Sequence, residues 1–406
     1  MFRSAFSINT LCCPRFMLAG MRPNRLWLAP VLLAAVLVSS PGPCANAGTV
    51  TSFKGIYNGL MYPEGELDPE QCGYFTIKAS ANGYFTGKLL VGSRRASFHG
   101  KFDDQGEATV NVWLVTVKIV DCGSCSPPIS VEEKKRTLTW TLDLQLVKDG
   151  EQITGQVFHR RGERWIAVLS GDRAGFALTN PAPQAGQYTF ILPGNVETTN
   201  SPNGHGSGTF TVDASGKVVL KGVLADGAII SQSAVLSKDG IWPFFVPLHK
   251  GKGMLLAWMT FTNLPETDLV GTVTWIKPAR PGAQFYPLGF TNDMMVVASH
   301  YAPASPVLDL TNGIVVFRGE SLGSPLTNSV TLEAGSVIAN RSGNSVTLTV
   351  AATSGLFKGK VQELTATRII RFRGAVLQNQ NAAFGYFLDA GRSGEVFLGS
   401  SPEAGH

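Results

Sequence analysis

Two thiols at Cys122-Gly123-Ser124-Cys125 are the sharpest chemical signal in the chain, because this spacing suits a redox disulfide or half of a metal site. A thioredoxin-type thiol needs the amino end of a helix to lower its pKa, and Ser126-Pro127-Pro128 forbids one. A zinc site needs a second pair of ligands, and only Cys72 and scattered histidines are left to supply it. Cys72, Cys122 and Cys125 are therefore read as disulfide candidates, with free thiols or a metal or redox role as the alternatives. A bridge from Cys72 would tie the segment around residues 117–136 to the rest of its unit.

Gly319-Glu320-Ser321-Leu322-Gly323 has the form of a nucleophile elbow and follows an apolar strand, residues 314–317. An elbow must open a helix, whereas Ser324-Pro325-Leu326-Thr327-Asn328 reads as a turn into another strand. Gly204-His205-Gly206-Ser207-Gly208 and Gly251-Lys252-Gly253 look like phosphate cradles, but neither leads into a helix that could receive an anion, and both read as turns. His99 falls on the polar face of a strand, and His159 stands beside Arg160-Arg161-Gly162 at a hairpin tip. Glu132-Glu133 merges with Lys134, Lys135 and Arg136 into a charged loop. No general acid/base pair, cofactor site or metal site can be assigned, and the expectation is a protein that is not an enzyme. Among the aromatic residues, Trp113, Trp140, Trp165, Trp242, Trp258 and Trp275 fall in strands or at their ends, where most belong to the core. Trp165, just after Arg160-Arg161-Gly162-Glu163-Arg164, is the candidate for a ligand-binding rim.

The elements that must position these residues are strands. Period-two alternation recurs along the chain, and helical spacing with caps is nearly absent. In residues 137–146, Leu138, Trp140, Leu142, Leu144 and Leu146 share one face while Thr137, Thr139, Thr141, Asp143 and Gln145 share the other. Ala96, Phe98 and Phe102 oppose Arg95, Ser97, His99 and Lys101 in the same way, and Val346, Leu348 and Val350 form a third such face. Turn signals such as Asp104-Gln105-Gly106, Ala214-Ser215-Gly216 and Lys238-Asp239-Gly240 separate the runs, so neighbouring strands are antiparallel.

Ahead of these strands stands an export signal. Arg22 and Arg25 precede an apolar run over residues 26–38, and Ala45-Asn46-Ala47 fits the small-residue cleavage rule. Residues 1–47 are read as a signal peptide, with translation starting at Met1 or Met21. Pro43 stands where a lipidation site at Cys44 would need a small residue. Loss of Arg3, Arg15, Arg22 and Arg25 leaves 30 basic residues against 29 acidic ones, so the net charge falls from +5 to +1. A near-neutral mature chain without a Lys/Arg stripe lacks the field that draws proteins onto nucleic acid or anionic lipid. No transmembrane segment is expected after the signal, and an outer-membrane barrel is disfavoured by the missing aromatic girdles. Three cysteines depart with the signal, and the remaining three are too few to be the framework of the fold.

Internal repetition organises the rest. Gly55-Ile56-Tyr57 is echoed by Gly186-Gln187-Tyr188, and Ile153-Thr154-Gly155-Gln156-Val157 by Leu269-Val270-Gly271-Thr272-Val273. Gly83-Tyr84-Phe85-Thr86-Gly87 matches Gly355-Leu356-Phe357-Lys358-Gly359, and Phe98-His99-Gly100 matches Phe372-Arg373-Gly374. Pro-rich joints at residues 180–185 and 302–306 then divide the chain into β units at 48–180, 181–305 and 306–400, the last two packing separately or as one domain. The fold class is all-β: tandem antiparallel meander units forming up-and-down β-barrels of about eight strands, with glycines inside strands supplying the bends.

At these residues the chain resembles a family of uncharacterised β-rich repeat domains in secreted and cell-surface bacterial proteins. The likeness rests on three motifs: Gly55-Ile56-Tyr57-Asn58-Gly59-Leu60; the block from Val212-Asp213-Ala214-Ser215-Gly216-Lys217 through Leu224-Ala225-Asp226-Gly227 to Asp239-Gly240-Ile241-Trp242-Pro243; and Phe372-Arg373-Gly374-Ala375-Val376-Leu377-Gln378 with Phe384-Gly385-Tyr386-Phe387-Leu388. It implies export to the periplasm, cell surface or medium and brings no activity with it. The expected function is a non-catalytic envelope, surface or adhesion module, whose partner is a cell-envelope or extracellular protein or a glycan and not nucleic acid. A barrel that binds a glycan or small apolar molecule is the alternative, and a hydrolase built on Ser321 the least favoured. The oligomeric state is left open.

Overall fold

The computed structural model describes residues 52–122, 129–159, 165–195, 200–304, 306–310, 312–332, 338–362 and 368–400. The signal read over residues 1–47 lies outside them. Residues 47–406 form one compact unit.

The first sheet contains β1 (Gly55–Tyr62), β2 (Gly73–Ala79), β3 (Tyr84–Val91), β4 (Arg94–Lys101), β5 (Glu107–Cys122), β6 (Ile129–Val147), β7 (Gln152–Phe158) and β8 (Trp165–Arg173). Its order is β4-β3-β2-β1-β8-β7-β6-β5, every pair is antiparallel, and the two end strands β4 and β5 lie against each other. This is a nearly closed eight-stranded meander, whose end strands pack together without a ladder between them. Phe75, Phe85, Phe98, Trp140, Leu142 and Leu169 are among the side chains that fill it. The alternation read from residues 95–102 and 140–146 holds, with one exception: Thr141 is buried and donates to Asn111 Oδ1 at 3.0 Å. β5 and β6 continue paired as a ribbon out to Cys122 and Ile129, so the stretch from Glu132 to Arg136 is strand and not the expected loop. Val115, Val117 and Ile119 on the facing strand supply the β-branched residues that favour continued pairing.

The middle of the chain forms β9 (Gly186–Leu192), β10 (Gly206–Val212), β11 (Lys217–Val223), β12 (Ile229–Val235), β13 (Ile241–Leu248), β14 (Gly253–Leu264), β15 (Thr267–Val270), β16 (Thr272–Lys277), β17 (Phe290–Met295) and β18 (Val297–His300). They make two sheets, β12-β11-β10-β9-β18 and β13-β14-β16-β17 with β15 beside β14. Gly271 alone separates β15 from β16, and Val296 alone separates β17 from β18. Counting each broken pair as one strand gives eight, running round one shared core that includes Phe190, Phe210, Trp242, Phe244 and Trp275. Ladder pairing continues round the circle except between β12 and β13.

The third sheet contains β19 (Gly313–Arg318), β20 (Leu326–Leu332), β21 (Ile338–Asn340), β22 (Ser345–Ala351), β23 (Leu356–Gln362), β24 (Ile369–Leu377), β25 (Ala382–Asp389) and β26 (Arg392–Ser400), in the order β21-β20-β19-β26-β25-β24-β23-β22. Phe317, Leu348, Phe357, Phe372 and Phe387 lie in its core. The expected all-β fold of tandem antiparallel barrels is the fold observed.

Glycines inside the strands do more than permit bends. Phe85 faces Gly100 and Gly87 faces Phe98 across β3 and β4, and a Cβ on Gly87 would stand 2.2 Å from the Phe98 ring. Across β23 and β24 the arrangement recurs, with Phe357 facing Gly374 and Gly359 facing Phe372, where a Cβ on Gly359 would stand 2.4 Å from the ring. Each ring lies over the bare backbone of its neighbour, which packs the interior without a clash.

Candidate site between the first barrel and an open seam

The gap between β12 and β13 begins in the sequence of β13, Ile241-Trp242-Pro243-Phe244-Phe245-Val246-Pro247-Leu248. Alternate backbone groups of a strand point to the same edge, and the carbonyl of Pro243 points toward β12, where it accepts from Gln232 Nε2 at 2.9 Å. Pro243 and Pro247 therefore present their ring nitrogens to this edge and can donate nothing to a ladder. Opposite them, the N–H of Val235 turns away from β11 and donates to Asn58 Oδ1 of the first barrel at 2.9 Å. By the same parity, Ser231 and Ser233 aim their backbone N–H and C=O groups into the gap.

The seam is pinned at both ends. From the middle of β12, Gln232 Oε1 accepts from Trp242 Nε1 at 3.0 Å, while in the turn that follows Lys238 reaches Glu151 of the first barrel at 2.8 Å. The Lys238 hydrogen bond, with Arg173 beside it, holds the Glu151 carboxyl below the usual carboxylate range. At the far end, Asp226 in the β11–β12 turn pairs with Lys277 of β16 at 2.5 Å, and both side chains are buried.

Beside the seam lies a cleft of about 1030 Å³ between the first and second barrels. One wall is the outer face of β2, β3 and β4, carrying Tyr74, Lys88, Leu90 and Arg95. The other is the outer face of β11 and β12, with Lys221, Ser231, Ser233 and Ile229, the last 82% exposed. At its depth the cleft reaches Leu220 and Val246, which belong to the core of the second barrel. No Asp or Glu lines it. Lys88, Arg95 and Lys221 are exposed and, among the described residues, carry no ion pair. Tyr74 donates to Asn58 Oδ1 at 3.0 Å, and burial raises its phenol pKa.

Where the cleft ends, the barrels meet in a packed layer of Leu60, Cys72, Phe245, Met254 and Leu256. Cys72 is a free, fully buried thiol, so no bridge ties it to the β5–β6 ribbon. It serves here as a small apolar side chain, and burial pushes its pKa up to about 12, with Asp68 adding to the effect. Cys125, and the side chains of Cys122 and Trp165, lie outside the described residues; the backbones of Cys122 and Trp165 end β5 and open β8. Trp140, Trp242 and Trp275 are core residues as expected, whereas Trp113 is 41% exposed.

Other sequence candidates are not drawn into this cleft. Ser321 sits in a single 3-10 turn, Glu320–Leu322, between β19 and β20, and its carbonyl accepts from Arg368 at 3.3 Å. His205 is turned to Glu395 of the third barrel at 3.4 Å; its hydrogen bond, with Arg318, keeps the Glu395 carboxyl below the usual range. Gly206 to Gly208, read as part of a turn, open β10 instead. Among the described residues, no group of three or more His, Cys, Asp or Glu side chains could hold a metal, and no helix is long and apolar enough to cross a membrane.

Compared with known proteins, the chain matches no family model and no curated protein. Among solved structures it is similar to a double mutant of the vaccine antigen transferrin-binding protein B from Haemophilus parasuis, at 11% identity over 85% of this chain and 75% of the other, with a TM-score of 0.21. Isotype 1 transferrin-binding protein B from serogroup B Neisseria meningitidis is a second, at 12% identity over 76% and 66%, with a TM-score of 0.19. Superposition this loose carries no argument about function.

The cations of the cleft were missed because the chain's charge is balanced as a whole. Their signal is local: residues 73–101 hold Lys78, Lys88, Arg94, Arg95 and Lys101 without one acid. The meander then lays those three strands side by side.

Proposed function

We propose that this chain is a non-catalytic module of the exported cell envelope or surface, which binds an extracellular protein or glycan on the outside of its barrels. Its working units are the segments 48–180, 181–305 and 306–400, and the binding surface lies where the first two meet. The observation that supports this reading is the contrast between filled and open space. The void inside the second barrel, among Phe190, Phe210 and Trp242, has no room for a water molecule, while the cleft outside measures about 1030 Å³. A cavity of that size is at the upper end of small-ligand pockets and is open enough for part of a macromolecule.

Filling the cleft tests the reading. The full chain and its Ser97→Trp/Ser233→Trp variant are compared on arrays of extracellular proteins and glycans. Both serines are exposed on the cleft walls, so the variant should fold, and a ligand of the parent chain should bind it at least tenfold more weakly. Ligands that bind both chains equally, or turnover of a glycan or ester by either, would overturn it.

A further inference from the structure

We infer that the seam receives an extended segment of a protein partner, with acidic residues at every second position, as an added strand on β12. The inference rests on the binding reading above and names its ligand class.

Two independent features lead to it. The first is the backbone edge. Ser231 and Ser233 turn their N–H and C=O groups into a gap where β13 offers a poor partner, since Pro243 and Pro247 have no N–H to give. An extended peptide satisfies such an edge by main-chain hydrogen bonds, which a glycan cannot supply at strand spacing. Unpaired edges invite pairing unless they are blocked by charge or covered. The outward residues of β12, Ile229, Ser231 and Ser233, place no charge in the way.

The second feature is charge. A strand added beside β12 would alternate its side chains between the cleft and the depth of the seam. Residues facing the cleft would meet Lys88 and Arg95 on the opposite wall and Lys221 on the neighbouring strand, three cations with no acid among them. Residues facing inward would meet Leu220 and Val246. The complementary sequence is therefore acidic and apolar in alternation. Backbone pairing fixes its direction and register, and the cations select its charge.

The test is a selection of displayed random dodecapeptides on the full chain, followed by anisotropy titration of the recovered peptides as labelled synthetic molecules. Recovered sequences should carry Asp or Glu at alternate positions. Binding should weaken at least tenfold in the Lys88→Glu/Arg95→Glu/Lys221→Glu variant and remain within twofold in Lys148→Glu/Lys358→Glu/Arg371→Glu, which has the same net charge and exposed substitutions elsewhere. Methylating alternate peptide nitrogens on the edge-facing side should abolish it. Peptides without acidic alternation, peptides indifferent to methylation, or an empty selection would overturn the inference. So would heparin binding that is lost in the first variant while no peptide is recovered; that result would leave the binding reading standing with a polyanionic glycan as its ligand.

Discussion

The junction of β4 with β5 and the junction of β12 with β13 stand at the same point of their meanders, between the fourth and fifth strands, and neither carries ladder pairing, yet one is filled by side chains and the other lies beside a cleft. At the first, Gly100 of β4 leaves room for Val110 of β5, whose Cγ1 would lie 2.6 Å from a Cβ placed there. The turn between them is tied by Asp103, whose carboxylate accepts from the amides of Gln105 and Glu107 at 2.9 and 2.8 Å. At the second, prolines 243 and 247 remove donors from the edge, and side chains such as Gln232 take over part of the bonding. A missing side chain lets one junction pack, and missing N–H groups leave the other short of donors. The comparison teaches that neither junction is zipped by backbone pairing, and that one or two residues on a strand decide what fills the space between its edges.

Four variants test this contrast. The largest effect is expected at the far pin of the open seam. Asp226→Ala would leave the buried Lys277 ammonium without its partner, and the loss in denaturant-unfolding free energy should be about 3–5 kcal/mol. A loss below about 1 kcal/mol would mean that the pair does not hold the seam. Next, Gly100→Val should cost about 1–3 kcal/mol by overpacking against Val110 and Phe85. Ser233→Val, on the exposed face beside the open seam, should stay within about 0.5 kcal/mol. Equal losses at the two sites would erase the distinction between the packed junction and the open one. Pro243→Val/Pro247→Val acts on backbone pairing rather than packing, and unfolding free energy should change by less than about 1 kcal/mol. Hydrogen exchange should nevertheless show new protection at the amides of Ser231 and Ser233 as the seam zips, and unchanged exchange there would indicate that the prolines are not what keeps it open.

Much of this architecture could be read from the residues alone. Alternation at Phe98, Leu142 and Val350 placed strands and their inner faces correctly, because one buried face imposes a period of two that turns and glycines then punctuate. The repeat matches of residues 83–87 with 355–359 and of 98–100 with 372–374 are visible too, although only the strand register shows that each sets a ring on the bare backbone of its neighbour. The site was harder to see. Its walls come from strands well over one hundred residues apart in the chain, β2–β4 and β11–β13, so no local motif contains it. Two clues were available: prolines four apart in an otherwise apolar strand, which mark an edge, and a basic run without acids hidden in a balanced total. Cys72 misled in the opposite direction, since burial between barrels was indistinguishable in sequence from readiness to form a bridge.

That same thiol gives the protein an internal alarm. Burial holds Cys72 as the neutral thiol at neutral pH, and the packed layer shields it from reagents. The sulfur stays silent while the first two barrels remain together and becomes available to react when they part. Any separation of the barrels, under force or in acid, would thus be readable with a thiol-alkylating reagent at a single atom.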